Sequence, residues 1–172
     1  MTDKIKHVEA LIDEIYNVLG VEITERNIDT PHRIAKFWCN EVFAPKDIKE
    51  LDKVMKAFPN PAPIEGTASP VICEMEFHSY CEHHILPFFG KCRIEYTPAE
   101  KILGLSKFNR IVNFFSEQPQ TQENLTVEIC RYIKKITGGK NVRVTLYDTT
   151  HTCVECRGVR GKSNTTTTYF ID

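Results

Sequence analysis

An α+β fold is what this sequence predicts, and three patterns point to it. Apolar residues open the chain at helical spacing: Ile5, Val8, Leu11, Ile12, Ile15, Val18 and Leu19. Strand-like alternation fills the second half, as in "KCRIEYTP" and "NVRVTLYDTT". Two more helical patterns lie between those strands, which places helices on one face of an antiparallel sheet.

The elements follow in order. Residues 4–19 read as a helix that Gly20 ends. A second helix starts in "DTPHRIAKFW", with Thr30 as N-cap and Pro31 in the first helical position. Four of the nine prolines fall between residues 59 and 70, so that stretch reads as an irregular linker. Strands dominate from there, and Val142, Val144 and Leu146 share one face. "SKFNRIVNFF" reads as a helix capped by Ser106. "ENLTVEICRYIKKITGG" reads as a helix with Leu125, Ile129, Ile133 and Ile136 on one stripe, ended by Gly138 and Gly139. "TTTTYF" closes the chain as a β-prone run. The expected organisation is an N-terminal helical region at 1–58, a Pro-rich linker at 59–70 and a site-bearing domain at 71–172.

The totals narrow the function. The chain has 172 residues, 41% hydrophobic and 26% charged, the values of an ordinary globular domain. Net charge is −1 and pI about 6.6, so bulk charge does not make this a nucleic-acid binder, and an anionic ligand must be held by local clusters. No apolar run is long enough to span a bilayer, and the charged N-terminus has no signal-peptide core. Seven cysteines, an odd number without a secretion signal, point to metal binding or free thiols in a reducing cytoplasm.

The densest chemistry lies in "CEHHILPFFG", Cys81 to Gly90. Cys81 and His84 form a C-x₂-H pair that can share one ion, and "HTCVEC" offers His151, Cys153 and Cys156. Two assemblies compete. Cys81, His84, Cys153 and Cys156 would close a structural zinc site, whereas three ligands would leave an open position for water and catalysis. Spacing alone leaves both standing. A structural site has no use for the extra imidazoles His83 and His151, and a hydrolytic one does. Singly, each histidine is more often a hydrogen-bonded structural residue; their joint placement favours catalysis.

Cationic residues cluster in three places. Ser106 opens a helix carrying Lys107 and Arg110, a phosphate cradle or simply a solvated helix start. Arg33 and Lys36 stand three apart on the second helix, and Arg157, Arg160 and Lys162 follow the metal candidates. Together they suit a triphosphate. Glu123, at a helix start, is by default a dipole-stabilising carboxylate. The functional alternative is guanine recognition, with two parallel hydrogen bonds from N1–H and the 2-amino group.

Five segments in order, "DTPHRIAKFW", "CEHHILPFFGK", "GLSKFNRIVNFF", "QPQTQENLT" and "HTCVECRGVR", resemble the zinc-dependent GTP cyclohydrolase I family over about residues 27–168. The resemblance implies the tunnelling fold, in which sheets of several subunits join into a barrel with helices outside, for the domain at 71–172. It implies rings of five stacked into a homodecamer with sites at subunit interfaces. The implied reaction hydrolyses GTP at C8, releases formate, rearranges the ribose and yields 7,8-dihydroneopterin triphosphate, a precursor of folate, biopterin-type cofactors and 7-deazaguanine bases. Cys81, His84 and Cys153 fall on zinc ligands, and His83 and His151 on catalytic imidazoles. Ser106 falls on a triphosphate contact, and either it or a phosphate relays the proton at ribose C2′. Glu123, with Gln122 beside it, falls on the guanine-binding carboxylate. Lys107, Arg110 and Arg157 fall on triphosphate contacts, and Arg33 and Lys36 on contacts from a neighbouring subunit. Cys156 has no ligand role in the family. Two rivals remain: a nitrile reductase of the 7-deazaguanine pathway on the same fold, which would need a nucleophilic cysteine and a nicotinamide cofactor, and a non-catalytic module closed by Cys156.

Overall fold

In the computed structural model, residues 3–60 and 71–172 are described. Most of the expected linker, residues 61–70, lies outside them; Pro59 ends a short strand. The chain divides into two compact units, Met1–Pro45 and Lys46–Asp172.

The first unit is helical. Helix α1 (Asp3–Val18) stops before Gly20, whose φ of 67° is a conformation glycine adopts without steric cost. Helix α2 (Thr30–Phe37) follows and runs directly into a π-type turn, Trp38–Val42. The expected N-cap shifts by one residue. Asp29 is the cap, without a side-chain hydrogen bond, and Thr30 is the first helical residue. Ile5 and Ile12 of α1 pack with Ala35 and Cys39. Val8 is partly buried against them, whereas Leu11, Ile15 and Val18 of α1, and Leu19 just after it, are exposed.

The second unit is the α+β domain. Helix α3 (Ile48–Val54) precedes strands β1 (Ala57–Pro59), β2 (Val71–Cys81), β3 (Pro87–Thr97) and β4 (Lys101–Leu103). Helix α4 (Leu105–Ser116), strand β5 (Pro119–Gln120), helix α5 (Gln122–Thr137), strand β6 (Lys140–His151), helix α6 (Thr152–Glu155) and strand β7 (Asn164–Ile171) complete it. The main sheet has the order β5-β2-β3-β6-β7, antiparallel except for the short β5–β2 pair. One face carries Phe77, Phe88, Cys92, Ile94, Tyr96, Val142, Val144 and Leu146. These pack with Phe108, Ile111 and Val112 of α4 and Leu125, Ile129 and Ile133 of α5. The opposite face is polar, with Arg93 between Glu74 and Glu95 and Lys91 on Asp148. The expected α+β class, an antiparallel sheet with helices on one face, is what the chain adopts.

Ser106 is not the cap of α4. Gly104, extended at φ −63° and ψ 135°, holds that position, and Ser106 sits one residue inside the helix. On α5 the cap is a side chain: Thr121 accepts from the Asn124 N–H at 3.2 Å, and Gly138, at φ 61°, ends the helix.

Candidate functional site

Two backbone irregularities build the site. The first is the turn joining β2 to β3. Cys81 N–H donates to Leu86 O, and the N–H groups of His84 and Ile85 both donate to Cys81 O. This winds Glu82, His83 and His84 into a tight turn and forces Ile85 to φ 55°, a costly conformation for a β-branched residue. Cys81 is buried at the strand end, while His83 and His84 stand exposed above it. Cys81 Sγ lies 3.6 Å from His84 Nδ1 and 3.7 Å from His83 Nδ1.

The second is a bulge in β6. Its pairing shifts between Leu146 and Thr149 toward β7, and between Phe89 and Lys91 toward β3. Asp148 takes φ 50° at that point. Because side chains alternate with period two, one extra residue moves everything after it to the other face. Val142, Val144 and Leu146 face the helices; after the bulge Thr149 and His151 share their side. Gly90 permits this. A Cβ there would sit 2.8 Å from Tyr147 O and 2.9 Å from Thr149 atoms. His151 then pairs with Phe88, and their rings stack with centroids 4.7 Å apart and planes within 6°.

Immediately after His151 the four-residue helix α6 buries Cys153 and leaves its C-cap, Cys156, exposed. The ligand atoms of Cys81, His84 and Cys153 all lie within 4.8 Å of one another, the one such His/Cys/Asp/Glu group among the described residues. Cys156 is not part of it. Burial and the neighbouring Cys81 sulfur both push the Cys153 thiol upward. Two sulfurs this close disfavour both being thiolates unless a cation sits between them, which is the condition a soft divalent metal meets. The His84 pKa is lowered, chiefly by desolvation and then by Arg157, whose guanidinium nitrogen is 2.6 Å from His84 Nε2. None of the seven cysteines forms a disulfide.

Gln122 and Glu123 begin α5 beside this group. Gln122 is only 3% exposed, and its side-chain oxygen lies 2.8 Å from His151 Nε2. Desolvation lowers the His151 pKa, and the Glu123 charge partly opposes that. Glu123 itself is exposed in the first helical turn. Ser106, Lys107 and Arg110 occupy the first turns of α4, where the Lys107 N–H donates to Gly104 O at 2.8 Å. Arg33 and Lys36 belong to the helical unit, where Arg33 pairs with Asp29 at 3.5 Å. The structure thus gathers Cys81, His83, His84, Gln122, Glu123, His151, Cys153 and Arg157.

A model of the family described as GTP cyclohydrolase I matches residues 8–172. The chain belongs to the GTP cyclohydrolase I family. Relatives named GTP cyclohydrolase 1 bear this out. The protein of Edwardsiella ictaluri is 36% identical over 162 residues, covering 94% of this chain and 72% of its own length. That of Tolumonas auensis is 38% identical over 171 residues, covering 96% and 76%. Among solved structures, an archaeosine synthase QueF-Like protein in the apo form aligns with a TM-score of 0.44 at 18% identity, over 60% of this chain and 95% of its own. By name the family's members are enzymes. No described helix is long and apolar enough to cross a membrane.

Proposed function

We propose that this chain is a zinc-dependent GTP cyclohydrolase I. It hydrolyses GTP at C8, releases formate and closes the rearranged product to 7,8-dihydroneopterin triphosphate. The observation that carries the reading is the meeting of Cys81, His84 and Cys153, drawn from two ends of the domain, beside His151, Gln122 and Glu123 in a chain of this family. Cys81, His84 and Cys153 would hold the zinc. When bound, it supplies Lewis-acid polarisation and water acidic enough to react near neutral pH.

The chain's own groups do the rest. Glu123 accepts the paired N–H bonds of guanine. Lys107, Arg110 and Arg157, with the Ser106 hydroxyl, take the triphosphate, joined by Arg33 and Lys36 from a neighbouring subunit. His83 and His151 move the proton at N7 as the imidazole ring opens. Ser106 relays the proton at ribose C2′. The assembly is a homodecamer of stacked pentamers whose sheets join into a barrel, in the cytoplasm.

The test incubates zinc-loaded protein with GTP and assays formate, and neopterin fluorescence after oxidation and dephosphorylation. Both are expected. Cys153→Ser loses zinc and both products, and Cys156→Ser keeps them. Equal zinc loss in the two variants would sink the three-ligand site and return the four-ligand module to the lead. Formate without neopterin would overturn the rearrangement roles given to Ser106 and the histidines.

A further inference from the structure

The four-threonine run of β7 has no part in the chemistry above, yet alternate members of it reach into the site. Thr165 Oγ1 donates to the Gln122 side-chain oxygen at 2.6 Å. Thr167 Oγ1 lies 2.6 Å from Thr126 Oγ1, which donates to the Gln122 backbone oxygen at 2.8 Å. Gln122 is therefore tied to β7 through its side chain directly and through its main chain by way of Thr126. On the opposite face Thr168 Oγ1 lies 3.1 Å from Thr145 Oγ1.

The orientation of the Gln122 amide decides what His151 does. On its other side the amide nitrogen lies 3.4 Å from Leu146 O. A backbone carbonyl only accepts, so the NH₂ group faces Leu146 and the oxygen faces Thr165 and His151. An amide oxygen also only accepts. His151 Nε2, 2.8 Å away, must then carry the hydrogen it donates. In a neutral imidazole that leaves Nδ1 with the free lone pair. Stacking on Phe88 holds the ring plane, so the amide sets which nitrogen is bare and the stack sets where it points.

We propose that Gln122, clamped by Thr165 of β7, is a positioning residue that holds His151 as its Nε2–H tautomer and so makes Nδ1 the nitrogen that meets the substrate. This deepens the cyclohydrolase reading and rests on it for the substrate. It moves Gln122 from a guanine contact to the support of an imidazole, and it gives Thr165 a role.

The test uses zinc-loaded protein labelled with ¹⁵N-histidine, read by NMR for the tautomer of His151, with steady-state kinetics on GTP in parallel. Wild type is expected to show hydrogen on Nε2. Gln122→Met, which removes the acceptor at similar volume, is expected to lose that signature. Its kcat falls about tenfold or more, as when an orienting partner is removed, while KM for GTP stays within about threefold. Gln122→Glu, which still accepts, retains the signature. Thr165→Val moves both readouts the same way by less, Thr165→Ser restores them, and Thr168→Val changes neither. Hydrogen on Nδ1 in wild type overturns the proposal. So does a Gln122→Met protein whose KM rises while kcat and tautomer stay as in wild type, because that is the behaviour of a base contact. Should Gln122→Met fail to fold, the Thr165 pair decides alone. A wild-type protein that yields no formate refutes the enzyme reading but leaves the tautomer assignment measurable.

Discussion

In the sheet unit, α4 and α5 bury their apolar stripes almost completely: Phe108, Ile111, Leu125, Ile129 and Ile133 are all at 0% exposure. In the helical unit, α1 has a pattern just as regular, but only Ile5 and Ile12 are fully buried, Val8 and Tyr16 are partly covered beside them, and Val18 stands 78% exposed. The difference shows what helical periodicity reports. It identifies a helix with an apolar face; it does not say how much of that face this chain itself covers. A unit whose core is Ile5, Ile12, Ala35 and Cys39 removes little apolar surface from water, so its own contacts hold it weakly. The Cys81, His84 and Cys153 group lies in the other unit, where the turn after Cys81 and the bulge at Asp148 carry strained backbone on a well-packed support.

The largest effect that tests this contrast is a cavity. Phe108→Ala empties a site at the centre of the sheet unit and is expected to cost about 3–5 kcal/mol of unfolding free energy. Ile12→Ala is expected to leave that transition in place and to speed amide exchange only in α1 and α2, which open locally at lower free energy. Denaturant melts and hydrogen exchange on both variants check this. A single transition shifted equally by the two substitutions would mean the units unfold as one.

A smaller effect separates binding from stability. Glu123→Ala is expected to weaken GTP binding by about 2–3 kcal/mol, the size of lost charged hydrogen bonds, with the melt of the sheet unit unchanged. Removing Arg33 from the helical unit breaks an exposed i,i+4 pair with Asp29 worth under about 0.5 kcal/mol to stability. Titration calorimetry with GTP reads the first. Unchanged affinity in Glu123→Ala would return that carboxylate to helix-end stabilisation.

How much of this was legible in the sequence depends on how far apart the partners stand. Cys81 and His84 are three residues apart in one turn, so their spacing already names them. The choice between three and four ligands is not readable that way, because it turns on α6 burying Cys153 and leaving Cys156 outside. Strand β2 becomes plain once Cys73 is read as a small apolar residue in phase with Val71, Met75 and Phe77. The β6 bulge does leave a trace: the alternation of Val142, Val144 and Leu146 meets an aspartate at 148, a residue that tolerates positive φ. What has no local signal is the meeting of Gln122 with Thr165 and His151, 43 and 29 residues away. Such contacts follow from sheet register and helix docking, and no window of sequence contains both partners.

The mildest perturbation is pH, and it too should act on one unit only. Asp52 of α3 accepts from the Tyr132 hydroxyl of α5 at 2.7 Å and lies 3.3 Å from Lys135. The Tyr132 hydrogen bond, with Lys135 and against some desolvation, holds the Asp52 carboxyl below its ordinary value of 3.8. Tyr132 is in turn pushed above its ordinary 10.0 by burial and by Asp52. For Asp52 the folded state favours the ionised form. Its contribution is present above pH 3.8 and is lost as pH falls through that value toward the lower folded one. For Tyr132 the folded state favours the protonated form, so its contribution is complete below pH 10 and is lost as pH rises beyond it. Denaturation midpoints measured from pH 2.5 to 11 should therefore fall at both ends, about these two windows. Asp52→Asn should flatten the acid limb, and Tyr132→Phe should flatten both. Amide exchange in α1 should not respond to either substitution, because neither residue belongs to its unit. A change confined to α1 would break the contrast drawn between the two halves of the chain.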